Sequence, residues 1–197
     1  ELPSSVQSEG RDDITTNQFA YDIVNQTNED VAARLPDPTT DNEIVVKNQA
    51  RSTTLKFFID NGYTLEQAAG MTGTIESISG FNPSQTDSFQ GVGIILWSTA
   101  GSRYRKLVEF AGTLGPGAKW QQLETQLLFI LQELRTTFTH TSGKLSESYA
   151  VKNDKYPQDG STYIFFNEYL PETVRSSNSL SSAEKESDKA YNIAITE

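Results

Sequence analysis

The chain has 197 residues, of which 36% are hydrophobic, and its formal net charge is −10. This length suits one domain, alone or with a tail. The negative charge disfavours binding to nucleic acids and to anionic membrane surfaces. The chain has no cysteine, which excludes disulfides, thiolate metal sites and cysteine nucleophiles. No apolar run is long enough to cross a membrane.

The first 42 residues are polar and acidic, contain Pro36 and Pro38, and lack apolar periodicity. This composition predicts a linker-like N-terminal arm that is partly disordered. One apolar patch within it, residues 19–24, is long enough to dock as a strand or a helical turn. The folded domain is therefore predicted to span residues 43–197.

Five stretches after the arm have the apolar spacing of helices. The second is the best delimited, because Thr64 and Gln67 fit a capping box at its start and Gly80 follows its end. Its two glycines, Gly70 and Gly73, weaken the helix but permit close helix packing. The five predicted helices cover approximately residues 44–60, 65–78, 102–112, 120–136 and 183–195, the last capped by Ser181-Ser182.

The other segments are predicted less specifically. Residues 84–93 form a polar loop long enough for a small hairpin, and residues 137–161 are predicted to be mostly loop. The apolar run 94–97 fits either a strand or the start of a buried helix. Residues 163–171 fit either a strand or a helix that ends before Pro171. The predicted fold is mainly α-helical, with at most a small β-hairpin.

Residues 68–83 read Ala-Ala-Gly-Met-Thr-Gly-Thr-Ile-Glu-Ser-Ile-Ser-Gly-Phe-Asn-Pro. They resemble the catalytic helix of phage-tail-lysozyme-type cell-wall hydrolases, whose motif is roughly Ala-Ala-Gly-x-x-Gly-Asn-x-x-x-Glu-Ser-Gly-x-Asn-Pro. Residues 93–97, followed by Arg103 and Arg105, are similar to the family's Gly-Ile-Ala-Gln-Trp motif and the helix after it. The family's Gln-x-x-Phe-x-x-x-Glu-Leu helix is matched by Gln126, Phe129, Glu133 and Leu134.

The resemblance covers roughly residues 47–194 and implies a lysozyme-like helical domain that acts on peptidoglycan outside the cell. Two positions depart from the family pattern. The glutamate that serves the family as general acid falls on Ile78, and the glutamine of Gly-Ile-Ala-Gln-Trp falls on Leu96. A glycosidase must protonate the leaving oxygen, normally from a carboxylic acid, and isoleucine has no proton to give.

These departures favour a domain that binds and does not cut. It would hold peptidoglycan, or a protein partner, within a cell-surface or phage-tail-like assembly. The alternative is an active muramidase or lytic transglycosylase that uses Glu76, with Asp87 as a second carboxylate.

Both alternative carboxylates also have a simpler interpretation. Glu76 lies two residues before Ile78, about 200° around the helix, so it reaches the same groove only if the helix slips at Gly73. It is otherwise expected to be a solvated surface residue. Asp87 lies between Thr86 and Ser88, where an aspartate side chain commonly accepts hydrogen bonds from the backbone of its own turn.

The substrate groove implied by the resemblance is lined by Ile78, Phe81, Leu96, Trp97 and Tyr104. The three aromatic residues offer faces on which a sugar ring stacks, although Trp97 within an apolar run also fits the core.

Two further polar residues, Glu133 and His140, are not expected to take part in the site. Glu133 is expected to pair with Arg103 or Arg105 and to be structural. His140 is the only histidine, so no metal site and no cofactor are predicted.

Overall fold

The structure, a computed structural model, describes residues 40–196, with side chains from residue 44 onward. The predicted arm up to residue 39, including the patch at 19–24, lies outside the described residues. Within them the chain forms eight α-helices and one two-stranded hairpin: α1 (Thr40–Asp60), α2 (Leu65–Ser79), β1 (Gly91–Val92), β2 (Trp97–Ser98), α3 (Ser102–Thr113), α4 (Leu123–Thr136), α5 (Thr139–Glu147), α6 (Ser161–Ile164), α7 (Glu172–Ser177) and α8 (Leu180–Ala194). A short 3₁₀ turn at Pro157–Asp159 precedes α6, and a π-helical turn at Phe165–Tyr169 continues it. The prediction of a mainly α-helical domain with a small hairpin is confirmed.

Helix α2 begins and ends where the sequence predicts. The Thr64 hydroxyl accepts a hydrogen bond from the Gln67 backbone at 3.4 Å, and the Gln67 side chain accepts one from the Thr64 backbone at 3.0 Å. This reciprocal pair is the predicted capping box. At the other end, Gly80 adopts the left-handed conformation with φ 58° and donates its N–H to the Glu76 carbonyl.

Other helices enclose α2 on all sides. Every residue from Gln67 to Glu76 is buried. A Cβ on Gly73 would lie 2.1 Å from the backbone nitrogen of Ser187 in α8, and one on Gly70 would lie 2.3 Å from the Ser161 hydroxyl oxygen in α6. The prediction that the two glycines permit close packing is confirmed.

The hairpin begins near the end of the predicted loop and extends beyond it. Gly91 pairs with Ser98 and Val92 with Trp97, so residues 93–96 form its turn. The apolar run is therefore neither a buried helix nor a full strand, and only Trp97 of the run lies in a strand. Leu96 has φ 56°, a conformation that L-residues rarely adopt.

Two helical segments differ from their predictions. Residues 139–147, predicted as loop, form α5, because Thr141 and Leu145 are buried against the core and stabilise a helix with weak sequence signals. Helix α8 begins at Leu180, and Ser179 occupies its N-cap position without a side-chain hydrogen bond. The predicted Ser181-Ser182 cap is therefore wrong.

One continuous hydrophobic core joins these elements. The segment after α6 contributes to it as a helix that ends before Pro171, which is one of the two structures left open by the sequence. The largest fully buried side chains are Trp97, Tyr169, Phe58, Phe165, Met71, Ile75, Ile94, Ile95, Leu107, Leu127, Ile130 and Leu134.

No helix between residues 40 and 196 combines the length and the apolar character needed to cross a bilayer.

Replacing Gly73 by alanine tests the contact between α2 and α8. The new methyl group would overlap backbone atoms of Ser187, which cannot rotate away, so we expect Gly73→Ala to lower the free energy of unfolding by about 1–3 kcal/mol or more. Gly112→Ala in α3 is the matched control, because its Cβ would meet nothing within 4 Å. We expect the control to be neutral or stabilising by about 0.5–1 kcal/mol in urea denaturation. Equal stability of the two variants would contradict the close approach.

Candidate functional site

Ile78, the position of the expected general acid, lies in the last turn of α2. Its side chain is partly buried and packs against the hydrophobic core. Phe81 follows the cap with φ 66° and is 3% exposed. Near the end of the helix, Ile78 is therefore aliphatic and Phe81 is a buried ring. Neither side chain carries a titratable group.

Glu76 is held in a buried ion pair on another face of α2. The Arg51 Nε atom donates to its Oε2 at 2.6 Å, and Arg51 Nη2 donates to its Oε1. The Glu76 side chain is 0% exposed and that of Arg51 is 7% exposed. Lys47 Nζ lies 3.4 Å from the same Oε1. The expectation of a solvated surface glutamate is wrong, because α1 and α8 cover this face of α2.

Glu186 of α8 extends this group of charges. Its Oε2 lies 3.8 Å from Arg51 Nη2 and 2.8 Å from Lys189 Nζ. Burial raises the pKa of the Glu186 carboxyl, but the hydrogen bond and charge of Lys189 and the charge of Lys47 outweigh it, so the pKa lies below its ordinary value. The hydrogen bond with Glu76 raises the pKa of Arg51. These ion pairs therefore link α1, α2 and α8 to one another.

The Asp87 side chain accepts hydrogen bonds from the backbone of its own turn, just before the hairpin. Its Oδ1 accepts the backbone N–H of Phe89 at 2.9 Å and that of Gly91 at 2.7 Å. The Asp87 backbone N–H also donates to the Gly91 carbonyl at 3.1 Å. Asp87 and Glu76 share no partner, so the structure gives each carboxylate a separate structural task.

Three of the five expected groove residues lie inside the core. Phe81, Leu96 and Trp97 are at most 5% exposed, so their side chains offer no open face to a sugar. The indole of Trp97 lies 5.9 Å from the Phe129 ring, and its Nε1 is buried without a hydrogen-bond partner. Only Ile78 and Tyr104 keep partial exposure.

The Tyr104 ring has a partner that the sequence did not suggest. It packs edge to face against Trp120, with ring centroids 5.4 Å apart. Trp120 lies just before α4, outside the helix in which it was predicted.

Gln126 of α4 connects the end of α2 to the hairpin. Its Oε1 accepts the Ile94 N–H at 2.8 Å, while its Nε2 donates to the carbonyls of Pro83 at 2.8 Å and Trp120 at 2.7 Å. The side chain is fully buried and all of its bonds go to backbone. The sequence identified Gln126 only as a match to a family motif. Its position among apolar helix residues was the signal for a buried structural role.

The predicted pairing of Glu133 with Arg103 is confirmed. Arg103 Nε and Nη2 each donate to a Glu133 carboxylate oxygen at 2.8 Å. The Tyr169 hydroxyl donates to Glu133 Oε2 at 2.6 Å, a contact that the sequence did not suggest. Burial, and after it the charge of Glu133, raises the pKa of Tyr169 well above its ordinary value, so this hydroxyl remains a donor.

Among residues 40–196, no group of three or more His, Asp or Glu side chains is placed to hold a metal ion. His140 lies exposed at the start of α5.

Removing the negative charge of Glu76 tests the buried ion pair. Glu76→Gln keeps the shape of the side chain but removes the carboxylate that pairs closely with the buried Arg51 and leaves only the more distant Glu186 at 3.8 Å, so we expect the free energy of unfolding to fall by about 3–5 kcal/mol. Asp60→Asn is the control, since it breaks an exposed pair with Lys56 whose N–O distance is 2.7 Å. That change is expected to cost about 0.5 kcal/mol or less in the same urea titration. Equal losses in the two variants would contradict the assignment of Glu76 to a buried pair.

The comparison with known proteins agrees with the resemblance seen in the sequence. The sequence model of the phage tail lysozyme family matches residues 49–193, which is more than half of the 197-residue chain. No curated protein and no solved structure gives a significant match. The matched range includes all of α2, the hairpin and α4, and membership of this family supports a peptidoglycan-related function. The chain belongs to the phage tail lysozyme family.

Proposed function

We propose that this chain is a non-catalytic member of its family that acts by binding peptidoglycan. It would serve as a module of a cell-surface or phage-tail-like assembly, outside the cell. The observation that carries the proposal is Ile78, which stands where the family motif has its general acid. A protein of such an assembly is the other class of partner that the fold would suit.

The chemistry of glycoside cleavage supports a loss of activity. The leaving oxygen takes its proton from a positioned acid, which typically contributes about 10²- to 10⁴-fold in rate. Ile78 has no acidic group, and the second departure, at Leu96, replaces an amide by a buried aliphatic side chain. Binding needs no such proton, so the loss of the acid removes the means to cut a glycan without removing the means to hold one.

The contacts of Glu76 argue against the alternative enzyme. A general acid must present its proton to the substrate, whereas the Glu76 carboxylate is fully buried and accepts two hydrogen bonds from Arg51. Releasing Glu76 would break both of its hydrogen bonds with the buried Arg51, whose other carboxylate partner, Glu186, lies 3.8 Å away, at a cost of about 3–5 kcal/mol. The short bonds that Asp87 accepts from its own turn likewise engage one of its carboxylate oxygens.

Incubation of the native chain with purified peptidoglycan sacculi tests the proposal directly. We expect the chain to sediment with the sacculi while their turbidity and the amount of soluble muropeptide stay at the level of a buffer blank. An active lysozyme serves as the positive control for clearing. Clearing by the native chain would refute the loss of catalysis, and recovery of all the protein in the supernatant would refute peptidoglycan binding.

Restoring the two family side chains gives a gain-of-function test. We expect Ile78→Glu combined with Leu96→Gln to release muropeptides above the native level, because it returns a proton donor to the end of α2. The matched control is Ile78→Gln with Leu96→Gln, which adds similar volume and polarity but no acidic proton. If the first variant folds by circular dichroism and releases no more than the control, more of the groove than these two positions has changed.

A further inference from the structure

A surface cavity of about 440 Å³ lies between α5 and α6, beside the loop that joins them. We call it the Tyr149 cavity, after an aromatic side chain on its edge that is 89% exposed. The other lining residues used below are Lys144, Glu147, Asn153, Asp159 and Ile164. None of them belongs to the family motif.

The Tyr149 cavity is separate from the groove implied by the family motif. Gln67, near the start of α2, donates from Nε2 to the Ser148 carbonyl at 3.2 Å, which places the cavity at that end of the helix. Ile78 lies eleven residues further along α2. At 1.5 Å per residue, the two positions are about 16 Å apart along the helix axis.

Hydrogen bonds hold the wall of the cavity rigid. The Ser148 hydroxyl contacts the carbonyls of Asp159 at 2.7 Å and Ala150 at 3.1 Å, so it ties together the two ends of the loop. The backbone of Ser161 donates to the Ala150 carbonyl at 3.0 Å. A Cβ on Gly160 would lie 2.9 Å from the Lys152 Cα, so the loop closes tightly on itself. A surface fixed in this way loses little conformational entropy when a ligand binds.

The chemistry of the lining fits a carbohydrate. Tyr149 offers an open aromatic face, and the buried Ile164 is an apolar part of the lining. Within the described part of the chain, the carboxylates of Glu147 and Asp159 have no hydrogen-bond or ion-pair partner, which leaves them free to accept bonds from hydroxyl groups. Asn153 uses its side-chain oxygen for the backbone N–H groups of residues 155 and 156, and its amide nitrogen donates to no described residue.

The charge of the cavity disfavours anionic ligands. Lys144, the one cation in the lining, is paired with Glu168 at 2.5 Å. With Glu147 and Asp159 unpaired, the cavity has an excess of negative charge. A phosphate or a free carboxylate would be repelled, whereas the hydroxyl and acetamido groups of an amino sugar would find acceptors and a donor.

We propose that the Tyr149 cavity is a saccharide-binding site for the N-acetylated amino sugars of a glycan strand, with Tyr149 as the stacking platform. This inference rests on the proposed peptidoglycan-binding function and specifies where on the domain the binding occurs. At the end of α2, by contrast, the aromatic side chains of Phe81 and Trp97 are buried and offer no stacking face.

Two probes test the site: purified sacculi in a sedimentation assay, and the soluble N-acetylglucosamine tetramer in isothermal titration calorimetry. Loss of one aromatic contact typically weakens binding by about 0.5–1.5 kcal/mol, so we expect Tyr149→Ala to raise the Kd roughly twofold to tenfold. The combined variant Glu147→Gln, Asp159→Asn is expected to weaken binding as well. Because these side chains are exposed, both variants should keep the native unfolding midpoint.

Tyr156→Ala is the matched control, because Tyr156 is an exposed tyrosine of the same loop that does not line the cavity. Its Kd should stay within twofold of the native value. If the native chain binds sacculi and the cavity variants bind equally well, the location is wrong while the proposed function stands. If the native chain ignores sacculi but binds the tetramer through Tyr149, the saccharide site stands and the peptidoglycan function fails. Binding to neither probe refutes both.

Discussion

The contact between α2 and α8 is the constraint on which the rest of the described structure depends. The two helices approach so closely at Gly73 that a single methyl group would overlap the backbone of Ser187. The Ser187 hydroxyl, in turn, contacts the Gly70 carbonyl at 3.3 Å. With α1 and α6 packed on its other faces, α2 has no solvent-facing side between residues 67 and 76. Three of its four polar side chains there, Gln67, Thr74 and Glu76, are hydrogen-bonded inside the protein, and the buried Thr72 hydroxyl has no partner among the described residues.

This enclosure decides what the carboxylate of α2 does. A glutamate on an open helix end can carry a proton to a substrate, but Glu76 is covered by α1 and α8 and neutralises the buried Arg51. The position two residues later, nearer the open end of the helix, holds Ile78. The packing thus separates the two properties that an acid catalyst needs, since the partly exposed position 78 lacks the acid and the acidic position 76 lacks exposure.

The sequence predicted the elements whose signals are local. The capping box at Thr64 and the end of α2 at Gly80 could be read from residue types and spacing. The likeness to the family supported the same fold and suggested that Glu133 pairs with Arg103 or Arg105. Contacts between distant segments could not be predicted in this way. The burial of Glu76 depends on Arg51, 25 residues earlier, and on α8 more than 100 residues later. Phe81 was read as a groove residue from the motif, but its burial depends on packing that no local pattern records. For Trp97, the apolar run around it indicated the buried position that the structure has.

The two ends of α2 differ in the kind of function that each supports. Catalysis at the C-terminal end would require a group that changes protonation, held in a cleft that a glycan can enter, whereas Ile78 is aliphatic and Phe81 is buried. Recognition requires a fixed arrangement of donors, acceptors and an aromatic face. The N-terminal end has such an arrangement, because the bond from Gln67 to Ser148 anchors the loop that carries Tyr149 to α2 itself. The helix that holds the catalytic acid in the family motif would thus act in this chain as the rigid support of the proposed binding surface.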